Sequence, residues 1–243
     1  MDCKAADHPS EENRGSLERY SLITTKMRRE FVLLQGTGCV WRRCAFCDYY
    51  LDTSKDPFQV NKAVLDQVTG VYGVLDVINS GSCTELDRQT VGYLQKTVRE
   101  KGITSLWFEA HWLWRHKLKA FSALFPEARC HYRLGIESFS PALREAWDKG
   151  IGEDATVEEI KKYYDGVCLL CGMPGQTYEE VEESVRTAEE NFSYYSLNLF
   201  TPNSKDIKAD PDVSERLRRE LFPRVRLSPK AEVLAENTDL GVG

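Results

Sequence analysis

No apolar run in the chain approaches the roughly 18–20 residues that a membrane-spanning helix requires, so a helical membrane protein is excluded. Positive charge is not in excess: 32 Lys and Arg stand against 38 Asp and Glu, a net charge of −6. That balance argues against a protein whose affinity rests on nucleic-acid phosphates, although a local basic patch is compatible with it. Met1 to Arg14 are polar and acidic with no apolar centre, so a secretory signal is not expected. No short internal repeat or low-complexity tract interrupts the chain. The expected compartment is the cytoplasm. There the eight cysteines stay reduced, and a cluster of them reads as metal-binding or catalytic, not as a disulfide set.

What is present is globular: 243 residues, 42% hydrophobic and 29% charged, long enough to bury a core without covalent staples. Residues 1–20 read as a polar leader and 21–243 as a single domain, with a core over about 30–205 and a C-terminal extension over 206–243. Six short apolar runs read as strands: Phe31–Leu34, Val74–Asn79, Thr104–Glu109, His131–Ile136, Gly166–Leu170 and Tyr194–Leu199. Helical stretches lie between them, at about Val60–Thr69 and Asp87–Lys101, after Trp112, from Pro141, and from Thr177 with capping-box character. A short helix at about Asp212–Leu221 and a last strand at about Ala231–Ala235 close the chain. Six strands separated by helices imply βα units and an α/β fold on a parallel sheet. The pattern alone fits a doubly wound sheet or a partial barrel. In a barrel, chemistry sits at the C-terminal strand ends, where Asn79, Glu109, Glu137, Gly172 and Asn198 fall.

Cys39-Val40-Trp41-Arg42-Arg43-Cys44-Ala45-Phe46-Cys47 places three thiols in nine residues directly after the first of these runs. Three thiolates cannot complete a structural zinc site, which takes four ligands. They can hold three irons of a [4Fe–4S] cluster and leave the fourth open, an arrangement suited to catalysis. The alternative is a buried-cysteine loop, or a zinc site borrowing a distant fourth ligand, which the motif's place on the first βα loop disfavours. Cys168 and Cys171 lie three apart on a strand, face opposite sides and are poor partners for one metal. Cys3, Cys83 and Cys130 read as ordinary thiols, Trp112 and Trp114 as packing residues, and Glu179–Glu183 and Glu215–Glu220 as solvated helix faces with i,i+4 ion pairs.

These residues carry a resemblance. The motif is similar to the Cys-x3-Cys-x2-Cys of radical S-adenosylmethionine (SAM) enzymes, with Phe46 as the aromatic before the last Cys and a first spacer one residue longer than usual. Further likenesses follow in order. Ile78-Asn79-Ser80-Gly81-Ser82 stands where that superfamily has its turn for the methionine amine. Leu134-Gly135-Ile136-Glu137-Ser138-Phe139 resembles a segment in which a Gln meets the SAM ribose, and Gly172-Met173-Pro174-Gly175-Gln176-Thr177 resembles a late turn. Cys168 replaces an Asp that binds ribose in the coproporphyrinogen dehydrogenase branch. The resemblance implies a partial (βα)6 TIM-like barrel of parallel strands with a short C-terminal extension. It implies a [4Fe–4S] cluster on Cys39, Cys44 and Cys47, and SAM contacts from Phe46, Asn79, Ser80, Gly81, Ser82, Glu109, Glu137, Lys149 and Leu199, with Lys149 on the methionine carboxylate.

Within that superfamily the chain resembles the queuine lyases. The likeness is carried by its short length, Gln35-Gly36-Thr37-Gly38-Cys39, Cys47-Asp48-Tyr49-Tyr50, Asp76-Val77-Ile78-Asn79-Ser80-Gly81-Ser82 and the terminal Glu236 to Gly243. This implies cleavage of queuine to 7-aminomethyl-7-deazaguanine, an electron donor such as flavodoxin or ferredoxin, and no membrane or nucleic-acid partner. A carboxylate matches the N–H and amine edge of a deazaguanine, which makes Asp48, Asn198 and Asp239 candidate readers, with Asn237 and Thr238 beside them. Tyr49 and Tyr50 would stack on the base or bond the diol. Asp48 could equally orient the cysteine loop, and Asp239 could sit in a solvated tail. The alternatives are a radical SAM enzyme of another small molecule or a tRNA base, and a non-catalytic Fe–S electron carrier.

Overall fold

The computed structural model describes residues 17–242. Cys3 and most of the leader lie outside that range. Eight strands form one sheet: β1 Tyr20–Ile23, β2 Arg29–Leu34, β3 Val74–Asn79, β4 Ser105–Glu109, β5 Arg129–Glu137, β6 Gly166–Cys171, β7 Tyr194–Leu199 and β8 Ala231–Leu234. They lie side by side in chain order. From β2 to β8 every neighbouring pair is parallel, and only β1 runs antiparallel, on β2. The helices are α1 Pro57–Leu65, α2 Arg88–Lys101, α3 Leu118–Ser122, α4 Pro141–Ala146, α5 Val157–Ile160, α6 Tyr178–Asn191, α7 Pro211–Arg216 and α8 Phe222–Val225. The fold is a partial TIM-like barrel.

The six expected strands are present with small shifts of their ends. The leader does not run to residue 20, because Tyr20 opens β1. That strand is short, and its Leu22 side chain points to solvent, so neither length nor an apolar run marks it. The expected Trp-rich helix is mostly a 3-10 segment, Trp112–Lys117, running into α3. Helix α6 starts as its sequence dictates: Thr177 accepts from the Glu180 N–H and the Glu180 side chain accepts from the Thr177 N–H, a reciprocal cap.

Strand periodicity of two sorts the side chains onto two faces. Val32, Leu34, Leu75, Val77, Leu106, Phe108, Leu134, Ile136, Val167 and Leu197 share one core with Val64, Leu94, Val98, Val181 and Ala188 of the surrounding helices. The alternate residues face the lumen. At its N-terminal end they are charged. Arg29 donates to Asp76 at 2.7 Å and makes a two-pronged pair with Glu232, both contacts at 2.7 Å. Arg133 reaches both oxygens of Asp76 at 2.8 and 2.5 Å, and the Tyr194 hydroxyl donates to Glu232 at 2.6 Å. Burial opposes charge on both arginines, but the carboxylates outweigh it and hold both protonated. This network joins β2 and β8, the two ends of the parallel sheet, across the gap.

The chain terminus finishes that closure. Lys26 donates to the Ala231 carbonyl and Ser21 to that of Leu240. Val242 is buried against Ile23 and Phe31, with Leu33, Ile78 and Leu240 around them. The residues that cover the open side are therefore Leu240 and Val242, while Asn237, Thr238 and Asp239 stand exposed.

Candidate active site

The three thiols sit on the loop that leaves β2 at the C-terminal mouth of the barrel. Buried Asn61 of α1 fixes the start of this loop by pairing with both the N–H and the C=O of Gln35, at 2.7 and 2.8 Å. Glu85 ties it to the turn after β3: its carboxylate accepts from the Val40 N–H at 2.8 Å and the Ser82 N–H at 2.5 Å. The far side is held by the segment after α4. Trp41 Nε1 donates to the Asp148 carbonyl at 2.6 Å, and the Ala45 N–H donates to the Trp147 carbonyl at 2.9 Å. Gly150 makes room for this contact. A Cβ there would lie 2.2 Å from the Trp41 ring, and its φ of +67° disfavours any other residue.

Cys44 is buried and Cys39 and Cys47 are half-buried. Burial pushes the Cys44 thiol up to about 12 and raises that of Cys47. Among the described residues no three His, Cys, Asp or Glu side chains are grouped to hold a single metal ion. A four-iron cluster makes a different demand, since each thiolate takes its own iron.

Glu137 and Lys149 meet beside the thiols. Glu137 ends β5 at an irregularity in the pairing with β6, with φ at +65°, a strained conformation for a residue with a side chain. Its carboxylate accepts from Lys149 Nζ at 2.6 Å, both residues buried. Gly135 permits the pair, because a Cβ there would come within 2.8 Å of the carboxylate and 3.3 Å of Nζ. Burial works against the charge on Lys149, but Glu137 and the neighbouring thiols raise its pKa above the ordinary range. Lys149 Nζ also lies 5.4 Å from the centre of the Phe46 ring. Glu109, at the end of β4, is 3.6 Å from Arg133 and 3.6 Å from the Cys168 thiol. Burial raises its pKa, and Arg133 pulls the other way.

His111 connects these parts. Its ring stacks on Trp41 at 5.7 Å, its backbone N–H donates to Ser82 Oγ at 3.0 Å, and its Nε2 lies 2.8 Å from the Lys149 carbonyl. Nδ1 accepts from the Leu113 N–H, which leaves the proton on Nε2. Burial, then the charge of Lys149, lowers its pKa to about 4, so the ring is neutral.

The other expected site residues divide. Asn79 reaches the Ser82 carbonyl through Nδ2, while its buried Oδ1 has no partner. Asn198 points into the lumen from β7 and its Oδ1 is likewise buried and unpartnered. Tyr49 keeps 64% of its surface exposed. The surrounding protein, then the charges of Cys47 and Glu109, raise the pKa of its hydroxyl. Asp48 accepts from the Ser204 N–H at 3.0 Å and so braces the cysteine loop against the segment after β7. Tyr50 meets Lys205 there at 3.1 Å. The Leu199 side chain faces the helix-side core instead of the lumen. Asp239 accepts from the N–H groups of Ala235 and Glu236, capping its own turn. Cys168 faces the lumen and Cys171 the core, as their spacing requires. Sequence reasoning missed Glu85, Trp41 and Asn61. Glu85 was findable, since Ser82-x-x-Glu85 has capping-box spacing.

The residues present fit the groups that the motif implies. Three thiols supply three iron ligands, the lone Asn79 oxygen waits at the turn beside them, and Glu137 and Lys149 offer opposite charges to a zwitterionic ligand. A parallel barrel with this first loop and this polar rim defines the class, that of the radical SAM enzymes.

No protein-family model and no curated protein matches the chain. A solved structure does. The queuine lyase from Clostridium spiroforme bound to SAM and queuine superposes with a TM-score of 0.89 at 37% identity, over 94% of this chain and 100% of that one. The chain belongs to the queuine lyase family.

Proposed function

We propose that this chain cleaves queuine to 7-aminomethyl-7-deazaguanine, breaking the bond between the amine and the cyclopentenediol ring. The observation that carries this reading is the likeness to a queuine lyase over nearly the whole of both chains, with the thiol loop and polar rim in place. Held by Cys39, Cys44 and Cys47, a [4Fe–4S] cluster with SAM would supply the radical chemistry needed at the diol ring.

The chain's own residues do the rest. Cys39, Cys44 and Cys47 hold the cluster. The Asn79–Ser82 turn takes the methionine amine, Lys149 the methionine carboxylate and Glu137 the ribose hydroxyls, so the existing Glu137–Lys149 contact is exchanged for contacts to SAM. Phe46 and Glu109 flank that site. Tyr49 and Tyr50 offer ring faces and hydroxyls to the substrate, and the unpartnered oxygen of Asn198 accepts an N–H from the base. The charged floor and the Leu240–Val242 closure keep water from the lower lumen. A flavodoxin or ferredoxin supplies the electron. No helix among the described residues is long and apolar enough to cross a membrane. Our reading places the protein in the cytoplasm, where its thiols stay reduced.

The test is SAM cleavage by reduced, reconstituted protein offered queuine, other 7-deazaguanine bases or tRNA. Release of 5′-deoxyadenosine that queuine alone stimulates supports the reading. Stimulation by tRNA in place of the free base would transfer the activity to the nucleic acid.

A further inference from the structure

We propose that Glu109 receives the protonated amine of the substrate and so makes the lumen selective for a nitrogen-linked, cationic ligand. The inference deepens the function above and rests on it, because that reading puts the bond to be cleaved on a secondary amine. Such an amine carries a proton at neutral pH.

The lumen wall holds one carboxylate too many. Four acidic residues of the strands face inward, Asp76, Glu109, Glu137 and Glu232, and three cations reach them, Arg29, Arg133 and Lys149. His131, toward the opposite end of β5, is matched by Asp165 at 3.3 Å. Three of the four carboxylates are engaged. Asp76 takes both arginines, Glu232 takes Arg29 and the Tyr194 hydroxyl, and Glu137 takes Lys149. Glu109 is left over. Arg133 is committed to both oxygens of Asp76 and stops 3.6 Å from Glu109, beyond hydrogen-bond distance. The one donor it meets among the described residues is the Cys168 thiol, also at 3.6 Å. A thiol is a weak donor, and an ionised carboxylate can accept about four hydrogen bonds.

This carboxylate is also the accessible one. Phe108 before it belongs to the helix-side core, so Glu109 takes the lumen face at the end of β4 nearest the thiols. Its side chain keeps 38% of its surface open, whereas Asp76, Glu137 and Glu232 keep 0%, 9% and 10%. Burial favours a proton on Glu109 and Arg133 opposes it, while the charges of Asp76 and Glu137 add to the effect of burial. An ammonium answers each of these: it brings N–H donors where donors are missing and positive charge where the wall is one cation short. A neutral linker leaves the carboxylate unpaired, which is how a polar site rejects an analogue. SAM carries an ammonium too, and the resemblance placed Glu109 among the SAM contacts. In the function above that group goes to the Asn79–Ser82 turn, which leaves Glu109 for the substrate.

The probes are queuine and an analogue with an ether oxygen in place of the amine. Both are titrated calorimetrically into the reconstituted, SAM-loaded holoprotein without reductant, so that nothing turns over. The parent protein should bind the ether about tenfold more weakly or worse. Glu109→Gln should raise the Kd for queuine by about the same factor and leave that for the ether within about twofold. Glu109→Asp, which keeps the charge, should retain a preference for the amine. Iron content and SAM affinity should match the parent in both variants. Equal affinity of the parent for the two ligands would overturn the proposal, and that measurement needs no variant to fold. An undiminished preference in Glu109→Gln would overturn it as well, and so would loss of SAM affinity with queuine affinity intact. Selective binding of queuine without cleavage once reductant is added would count against the function alone. A parent protein that binds neither ligand would overturn both.

Discussion

At the N-terminal end of the lumen, Arg29, Asp76, Arg133, Glu232 and Tyr194 pair with one another, and Arg133 Nε alone among their side-chain polar atoms is buried without a partner. At the C-terminal end, the oxygens of Gln35, Asn79 and Asn198 are buried without partners. Strain has the same address. Of the four described non-glycine residues with positive φ, three (Arg42, Glu137 and Asp148) surround the cysteine loop. A floor whose carboxylates are all engaged contributes to folding, whereas a rim with unused acceptors and strained backbone is prepared for ligands. The same barrel therefore separates stability from chemistry along its axis.

Substitutions should separate the two ends. The largest effect is expected at Cys44→Ala: two thiolates hold a cluster poorly, so iron content and SAM cleavage should both fall to background. Retained cleavage would move the cluster elsewhere. Next is the floor. Asp76→Ala leaves two buried guanidiniums with reduced compensation and should cost about 3–5 kcal/mol of stability, read from the urea midpoint. The folded fraction should bind SAM as before, and a loss of SAM affinity at full occupancy of the fold would blur the two ends together.

His111 adds a dependence on pH. Its pKa is about 4 in the fold against the ordinary 6.5, so the unfolded chain binds the proton first as the solution is acidified. Its contribution is fully present above 6.5 and is lost as pH falls toward 4. The stability difference between the native apoprotein and His111→Asn should shrink by up to about 3 kcal/mol across that interval. A difference independent of pH would mean that the ring is charged in the fold. The smallest effect is at the rim pair: Glu137→Gln should weaken SAM binding about tenfold, some 1.4 kcal/mol, with iron content unchanged. Equal SAM affinity would leave Glu137 as a partner of Lys149 alone.

The strands of the parallel sheet, and the loop that carries the thiols, were legible because apolar runs and close cysteine spacing are local signals. The floor was not, because its members come from β2, β3, β5, β7 and β8 and meet only when the sheet curls. A trace existed, in that Asp76 and Arg133 interrupt apolar runs where a charge has no place unless paired. The Glu137–Lys149 contact is likewise a product of the fold, made by a kinked strand end and a glycine that clears its path. At the chain's end Val242 is buried against Ile23 and Phe31, with Leu240 packed beside them. Asp239, a candidate reader because a carboxylate matches the donor edge of the base, is engaged with its own turn, since a short carboxylate finds nearby backbone N–H groups before it finds a distant ligand.

The most direct test of the account is a product analysis of reconstituted, reduced protein incubated anaerobically with SAM and queuine, followed by mass spectrometry. The account predicts 5′-deoxyadenosine, methionine and 7-aminomethyl-7-deazaguanine, with all three absent from Cys44→Ala. Intact queuine beside accumulating 5′-deoxyadenosine, or cleavage of queuine by Cys44→Ala, would contradict it.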